Sequence, residues 1–331
     1  MSIAHPNFRE EKPAPETYGP ITGLADEIWS EIERRHELAP GAITGLSTGF
    51  PKLDDLIDGL RPETLTLIGA RPKQGKTALI LSMIMSAAKR GIPTSFFSLE
   101  MPKKQVVSRL IAMEAEVDHR LMVRGVYDHE EALRISAAAF EIERWPIFID
   151  DATSLTPAAF VARAQRAVKY DDARTIFLDY LQRMKPERTS GRYEEVTAIS
   201  MAMADARKTL KIPIVAAAQL NRSGLERSRV DFSKLKDHAA ELTRPNDNEL
   251  RDSGQLEQDG DAVIFLNRPI VVIEKHKPDE NDRDATLQWE DACSHWRKRA
   301  ELNVYFNRAG PSGFVNLLFE GPQMLFRPWP I

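Results

Sequence analysis

The stretch from Leu65 to Thr77 constrains this chain most. A short apolar, β-prone run ends in a polar loop, the loop closes on Gly75, Lys76 and Thr77, and an amphipathic run follows from Ala78 to Lys89. Strand, loop and helix in this order are what a nucleotide triphosphate site requires. Backbone N–H groups of the loop and the open end of the helix face the phosphates, and the helix dipole favours their charge. Residues Ala70, Arg71, Pro72, Lys73, Gln74, Gly75, Lys76 and Thr77 are therefore expected to bind nucleotide. Lys76 would reach the β- and γ-phosphates, and the Thr77 hydroxyl would hold Mg²⁺. Ala70 departs from the pattern, since it stands where the loop has its first glycine. A Gly-Lys-Thr triplet also occurs by chance in surface loops; the setting between strand and helix is what argues for phosphate.

Strands and helices alternate from there on. Strands are expected at 94–99, 147–150, 175–179, 214–218, 262–266, 302–306 and 314–319, and helices at 103–115, 130–143, 157–170 and 194–211. Several of the strands are unbroken apolar runs, the mark of a parallel sheet covered on both faces. Asn307–Gly313 is turn-rich and suits an antiparallel hairpin. The fold class is α/β: a mostly parallel sheet flanked by helices, with an antiparallel C-terminal edge. Ahead of it, residues 1–20 read as a mobile arm. Residues 21–40 hold an amphipathic helix with Ile21, Leu24, Ile28 and Ile32 on one face, and 41–331 form the main domain. Two polar stretches, 222–248 and 271–298, break the rhythm; loops of that length are usually functional or disordered. Trp289 and Trp296, seven residues apart, fit one face of a local helix.

Four strand or turn ends carry further chemistry. Asp179 closes a buried strand and can hold the metal's water shell; Asp150 and Asp151 are rivals on a shorter, less apolar strand. Glu100 ends another strand and can orient an attacking water, or equally serve as a first-turn acid for the next helix. Gln219 ends a third, where its amide can report on the γ-phosphate or satisfy backbone groups. Arg308 sits at the hairpin tip, where an arginine could stabilise transition-state charge, although exposed turn arginines are common. Between 222 and 236 there are five basic residues, among them Arg222, Arg227 and Arg229, against two acidic ones. Loop arginines of this kind hold phosphate backbones without reading bases, yet such a stretch is also an ordinary solvated loop.

Taken in order, these segments resemble the ATPase domain of the bacterial and phage replicative DNA helicases of the DnaB type. The resemblance runs from about Thr44 to Phe326. It is carried by Gly69–Thr77, Phe97–Pro102, Leu178–Gln182, Gln219–Arg222, Leu250–Asp259 and Arg308–Pro311. It implies a RecA-like fold, ATP with Mg²⁺ between subunits, and a ring, commonly a homo-hexamer. It assigns Lys76 and Thr77 to phosphate and metal, Asp179 to metal, Glu100 to water activation, Gln219 to coupling and Arg308 to a neighbour's site. It places single-stranded DNA in a central channel, on a loop containing Arg251, Asp252 and Gly254, with 5′→3′ translocation. It makes the 21–40 helix a linker that docks on the adjacent subunit, and it tolerates alanine at position 70. A helicase loader or replication initiator would be a further partner.

Two departures stand out. Only about 40 residues precede the core, so the family's N-terminal helical domain, and primase contact through it, are not expected; a phage, plasmid or mobile-element form would fit. The family also has a lysine two residues before the finger arginine, where this chain has Phe306; Arg299 could compensate. A recombination ATPase of RecA type, or an assembly ATPase without unwinding, remains the alternative. Composition narrows the rest. The single cysteine, Cys293, permits no internal disulfide and suits the cytoplasm. No apolar run approaches the ~20 residues of a membrane span. His276, Cys293 and His295 match no standard zinc spacing. A net charge of −4 leaves only a local basic channel for nucleic acid.

Overall fold

In the computed structural model, residues 21, 23–37, 42–186, 191–220, 234–245, 249, 259–279 and 281–330 are described. The chain divides into two compact units, 1–42 and 43–331. The first contributes helix α1 (Leu24–His36). Asp26 and Glu27 lie in its first turn and Arg34, Arg35 and His36 in its last, which suits the helix dipole at both ends. Glu31 and Arg35 pair across one turn at 2.6 Å. No residue of α1 is buried.

The second unit is built on strand β1 (Leu65–Ala70), buried along its whole length. It is flanked in parallel by β5 (Ile214–Gln219) and β6 (Ala262–Asn267). On the β5 side follow β4 (Thr175–Asp179), β2 (Thr94–Ser98) and the edge strand β3 (Ile147–Asp150), all parallel. On the β6 side, β7 (Arg299–Asn307), β8 (Gly313–Glu320) and β9 (Leu325–Pro328) run antiparallel to their neighbours. The order is β3-β2-β4-β5-β1-β6-β7-β8-β9.

Because a strand alternates its side chains, each central strand feeds two cores. Ile68, Phe96, Phe177, Val215 and Ile264 face one side. They meet α2 (Pro51–Ile57), α3 (Lys76–Lys89) and α4 (Lys103–Ala115). Leu67, Phe97, Ile176, Leu178, Ala216 and Phe265 face the other. There they pack on α7 (Pro157–Tyr170) and α8 (Arg192–Leu210) through Phe160, Val196, Ile199 and Met203. Thr156 caps α7 through Ala159 N–H, with Pro157 at its first position. Between α4 and α7 lie α5 (His119–Val123) and α6 (His129–Ile142), the latter opened by a capping box of Asp128 and Glu131.

The two polar stretches are not wholly irregular. The first contains α9 (Leu235–Thr243); the second contains α11 (Arg283–Trp296), just after the short α10 (Ile270–Ile273). These helices bury one another around Leu235, Ala239, Ile273, Ala292 and Cys293. Trp289 Nε1 donates to the Ile273 carbonyl at 2.8 Å, and Trp296 Nε1 to those of Leu235 and Lys236. The local helix expected around Trp289 and Trp296 is α11, whereas the apolar positions of α9 are too few per turn to stand out from a charged background, which is why the sequence reads as loop there. Strand β9 and helix α5 were also not expected; each is only one turn or a few residues long. Among the described residues, no helix is long and apolar enough to cross a membrane.

Candidate nucleotide site

The cleft lies where α/β sheets usually bind ligands, beyond the carboxyl ends of the parallel strands. Its volume is about 530 Å³, and its lining includes Ala70, Arg71, Pro72, Lys73, Gly75, Lys76, Thr77, Glu100 and Gln219. Ala70 is still in β1, paired with Gln219 and Leu266, and its φ is not positive; a methyl group therefore fits there. The turn into α3 needs the left-handed region later, at Lys73 (φ 70°) and Gly75 (φ 96°). A β-carbon on Gly75 would stand 3.2 Å from the Phe326 ring. Gly75 is the N-cap of α3 and brings no side chain to the helix's first N–H groups, which leaves them for an anion.

Two loop side chains turn away from the cleft. Arg71 forks onto Glu249 at 2.5 and 2.6 Å. Gln74 is buried, and its Oε1 accepts from Arg268 N–H at 2.5 Å. At these positions only the backbone is left to face phosphate.

Thr77 Oγ1 donates to Asp179 Oδ2 at 2.5 Å. Asp179 is 1 % exposed, and its Oδ1 is buried without a hydrogen-bond donor, 3.5 Å from Lys76 Nζ in a contact of charge alone. A hydroxyl and a buried carboxylate with an unsatisfied oxygen form a hard-oxygen donor set that suits Mg²⁺. Lys76 Nζ also lies 4.0 Å from the centre of the Tyr180 ring. Burial pushes the Lys76 pKa down, against the opposing pull of Asp179 and Glu100. Arg109, on α4, lines the same cleft and is shifted down for the same reason, with the same two acids opposing. Two cations thus share one space with two carboxylates.

Gln219 is held by its backbone. Its N–H donates to Gln182 Oε1 and its carbonyl accepts from Gln182 Nε2, both at 3.1 Å; its own side chain stays exposed at the cleft. The opposite wall is Arg268, Phe319, Gly321 and Met324. The Arg268 guanidinium lies 3.8 Å over the Phe319 ring, its Nε has no hydrogen-bond partner, and burial lowers its pKa to about 10.

Arg308 is not in this cleft. Leu266, level with Ala70, marks the cleft end of β6, whereas Asn307 pairs with Ala262 at the other end. About 13 Å of strand separates the two rows. Arg308 N–H donates to the Asp261 carbonyl at 2.8 Å, and its guanidinium lies 3.4 Å from Asp261 Oδ1, half exposed. The same carboxylate receives Leu65 N–H at 2.8 Å and pairs with Arg207. Phe306, paired with Val263, is partly buried against the core, and Arg299 lies over the Trp329 ring. Asp150, the rival acid, is held by Arg163 on the sheet edge, and Asp151 accepts from Lys103 N–H at the start of α4. Arg222, Arg227, Arg229, Arg251, Asp252 and Gly254 lie outside the described residues.

Residues 45–328 match the model of the DnaB-like helicase C terminal domain. The chain belongs to this family. It is 33 % identical over 314 residues to the replicative DNA helicase DnaB of Leifsonia xyli, covering 94 % of this chain and 62 % of that protein. It is 34 % identical over 284 residues to the DnaB of Pasteurella multocida, covering 84 % and 54 %. The chain thus spans about three fifths of the length of such relatives. Among solved structures, the ATPase domain of G40P superimposes with a TM-score of 0.78 at 27 % identity, covering 95 % of this chain and all of that one. A DnaB-like replicative helicase studied with its primase interactions gives 0.76 at 27 % identity, over 94 % and 69 %. This likeness agrees with the RecA-like α/β fold expected from the motif order.

Two cleft residues, Arg109 and Arg268, escaped the reading of the sequence, as did Gln182, which holds Gln219. Strand-end chemistry is visible as an apolar run followed by a polar residue. These three stand on a helix, a post-strand corner and a 3-10 turn, where no local pattern marks them. Gln182 stood inside a family segment, which was the one available signal.

Proposed function

We propose that this chain is the motor part of a ring-forming replicative DNA helicase. In this reading it hydrolyses ATP with Mg²⁺ at subunit interfaces and translocates 5′→3′ on single-stranded DNA in the cytoplasm. Loop N–H groups from residues 70–77 and the Lys76 ammonium bind the phosphates. Thr77 and Asp179 would hold Mg²⁺, which supplies neutralisation of charge on the β- and γ-oxygens. Glu100 orients the attacking water and accepts its proton, Gln219 senses the γ-phosphate, and Arg109 adds a cation from the same subunit. Arg268, Phe319 and Met324 offer a flat, partly apolar wall for the base. Arg222, Arg227, Arg229, Arg251, Asp252 and Gly254 would contact the DNA backbone, and a loader or replication initiator would place the ring on its template.

One observation carries this reading. The cleft gathers Lys76, Thr77, Glu100, Asp179 and Gln219, whereas Arg308 stands at the far end of the sheet. Arg308 can complete a site only in another copy. Arg308→Ala and Glu100→Gln should each lower ATP turnover by about 10³-fold or more. Mixing the two variants should restore activity, because a Glu100→Gln subunit lends its Arg308 to a site whose own Glu100 is intact. Activity in the mixture no higher than dilution predicts would sink the shared site.

A further inference from the structure

Asp261 is the residue just before β6, and two arginines meet at its carboxylate. Oδ2 accepts Leu65 N–H at 2.8 Å, at the start of β1, and accepts from Arg207 Nη1 as well. Oδ1 lies 3.4 Å from Arg308 Nη1. The two arginines differ in setting. Arg207 is on α8, with its side chain 11 % exposed, whereas Arg308 is on the hairpin tip, with its side chain 52 % exposed.

Helix α8 holds the run ahead of β6 at two points. Ser200 Oγ donates to Asp259 Oδ2 at 2.7 Å, and Arg207, two turns further on, meets Asp261. The backbone of Arg308 is tied to the same place, since its N–H donates to the Asp261 carbonyl at 2.8 Å. Burial first and then Arg308 push the Arg207 pKa down, with Asp259 and Glu63 opposing. The two guanidiniums therefore feel each other across one acid.

For stability alone, Arg207 is a costly choice: it is largely buried, and its Nε has no hydrogen-bond partner. Charge gives it a better reason. A carboxylate that forks onto an arginine holds it firmly, because two parallel contacts fix both distance and direction. Here one oxygen is taken by Leu65 and Arg207, and only the other faces Arg308. Within this trio one negative charge is set against two positive ones, which weakens the pull of Asp261 on Arg308.

We propose that Arg207 is a positioning residue for Arg308: by occupying Asp261 it keeps that carboxylate from retaining the Arg308 guanidinium, which is delivered to the γ-phosphate in a neighbouring copy's cleft. Arg207 itself stays inside its own subunit. This role rests on the shared-site reading above.

The test is steady-state ATP turnover of the full chain, with Mg²⁺, at a concentration where it is assembled. Arg207→Gln keeps a donor for Asp261 and removes the charge. Its kcat should fall about 10- to 100-fold, as for a misplaced catalytic group, with KM within about threefold, since a cation acting on the transition state leaves ground-state binding alone. Arg207→Lys alters the shape but keeps the charge, so its kcat should stay within about threefold of wild type. Adding Asp261→Asn to Arg207→Gln should restore most of the rate, because a neutral amide does not retain a guanidinium. That double variant strands no buried carboxylate, so with Arg207→Lys it carries the test if Arg207→Gln does not fold. Wild-type turnover in Arg207→Gln, an equal loss in the lysine and glutamine variants, or no recovery in the double variant overturns this role. If Arg308→Ala is impaired in the same assay, the shared site survives that result. Wild-type turnover in Arg308→Ala overturns both.

Discussion

Gly69 lies flat against the Phe265 ring, and a β-carbon there would stand 2.8 Å from the ring edge. Both residues are in fully buried strands, so neither can yield cheaply. Gly69→Ala should cost about 1–3 kcal/mol by overpacking, read as a lower urea midpoint at unchanged slope. His119 offers a pH test. Its Nε2 lies 3.2 Å from Ser108 Oγ, and burial first, then Arg109, pushes its pKa below 6.5, with Asp118 opposing. The unfolded chain therefore takes up this proton at a higher pH than the folded one. Stability from this group is present above about 6.5 and is lost as pH falls through the lower, folded value. Urea midpoints at about pH 7.5 and 5.5 should differ less in His119→Gln than in the wild-type chain. At this scale the sequence was most legible where chemistry sits at strand ends. Lys76, Thr77, Glu100, Asp179 and Gln219 each follow or close a buried apolar run, and all five line or adjoin one cleft. Arg71 and Gln74 were legible as loop members but not in direction: nothing local says that their side chains face Glu249 and Arg268.

Helix α1 exposes Leu24, Ile28, Trp29 and Ile32 at between 49 and 60 %. Thirteen residues are marginal for an isolated helix in water, so its apolar face calls for a partner. If that partner is the adjacent subunit, Ile28→Asp with Ile32→Asp should reduce assembly, seen as a shift to smaller species by light scattering after size exclusion. The apolar stripe of this helix was visible because four large residues recur at helical spacing. The satellite helix α9 was hidden by the opposite circumstance: few apolar residues, set among charges, whose burial depends on its neighbours α10 and α11, and α11 itself showed only through Trp289 and Trp296. The continuous runs of β1, β4 and β6 announced burial on both faces, whereas β9 is too short for any pattern.

If Arg308 completes a neighbour's cleft, the main unit holds part of a site at one end of its sheet and the arginine for another copy's site at the other. ATP turnover per chain should therefore rise with protein concentration across the range in which assembly occurs and then level off. Turnover per chain that is the same at every concentration would count against shared sites. The alternation of strands and helices made the α/β class legible over nearly all of the main unit. The distance between Arg308 and its own cleft was not, because it depends on the reversal of β7 against β6, which only register reveals.

With Arg308 serving a neighbour's cleft, that reversal would give the molecule a donor end and an acceptor end. A contact that joins unlike ends is heterologous, so it cannot relate two copies by a two-fold axis. Copies added through it all point the same way, and a fixed rotation per step leads either to a closed circle or to a helical fibre. Before closure, any such chain of copies keeps one cleft without a neighbour's Arg308 and one Arg308 without a cleft. Closing the circle removes both at once, so the final subunit completes two sites, whereas each earlier one after the first completed a single site.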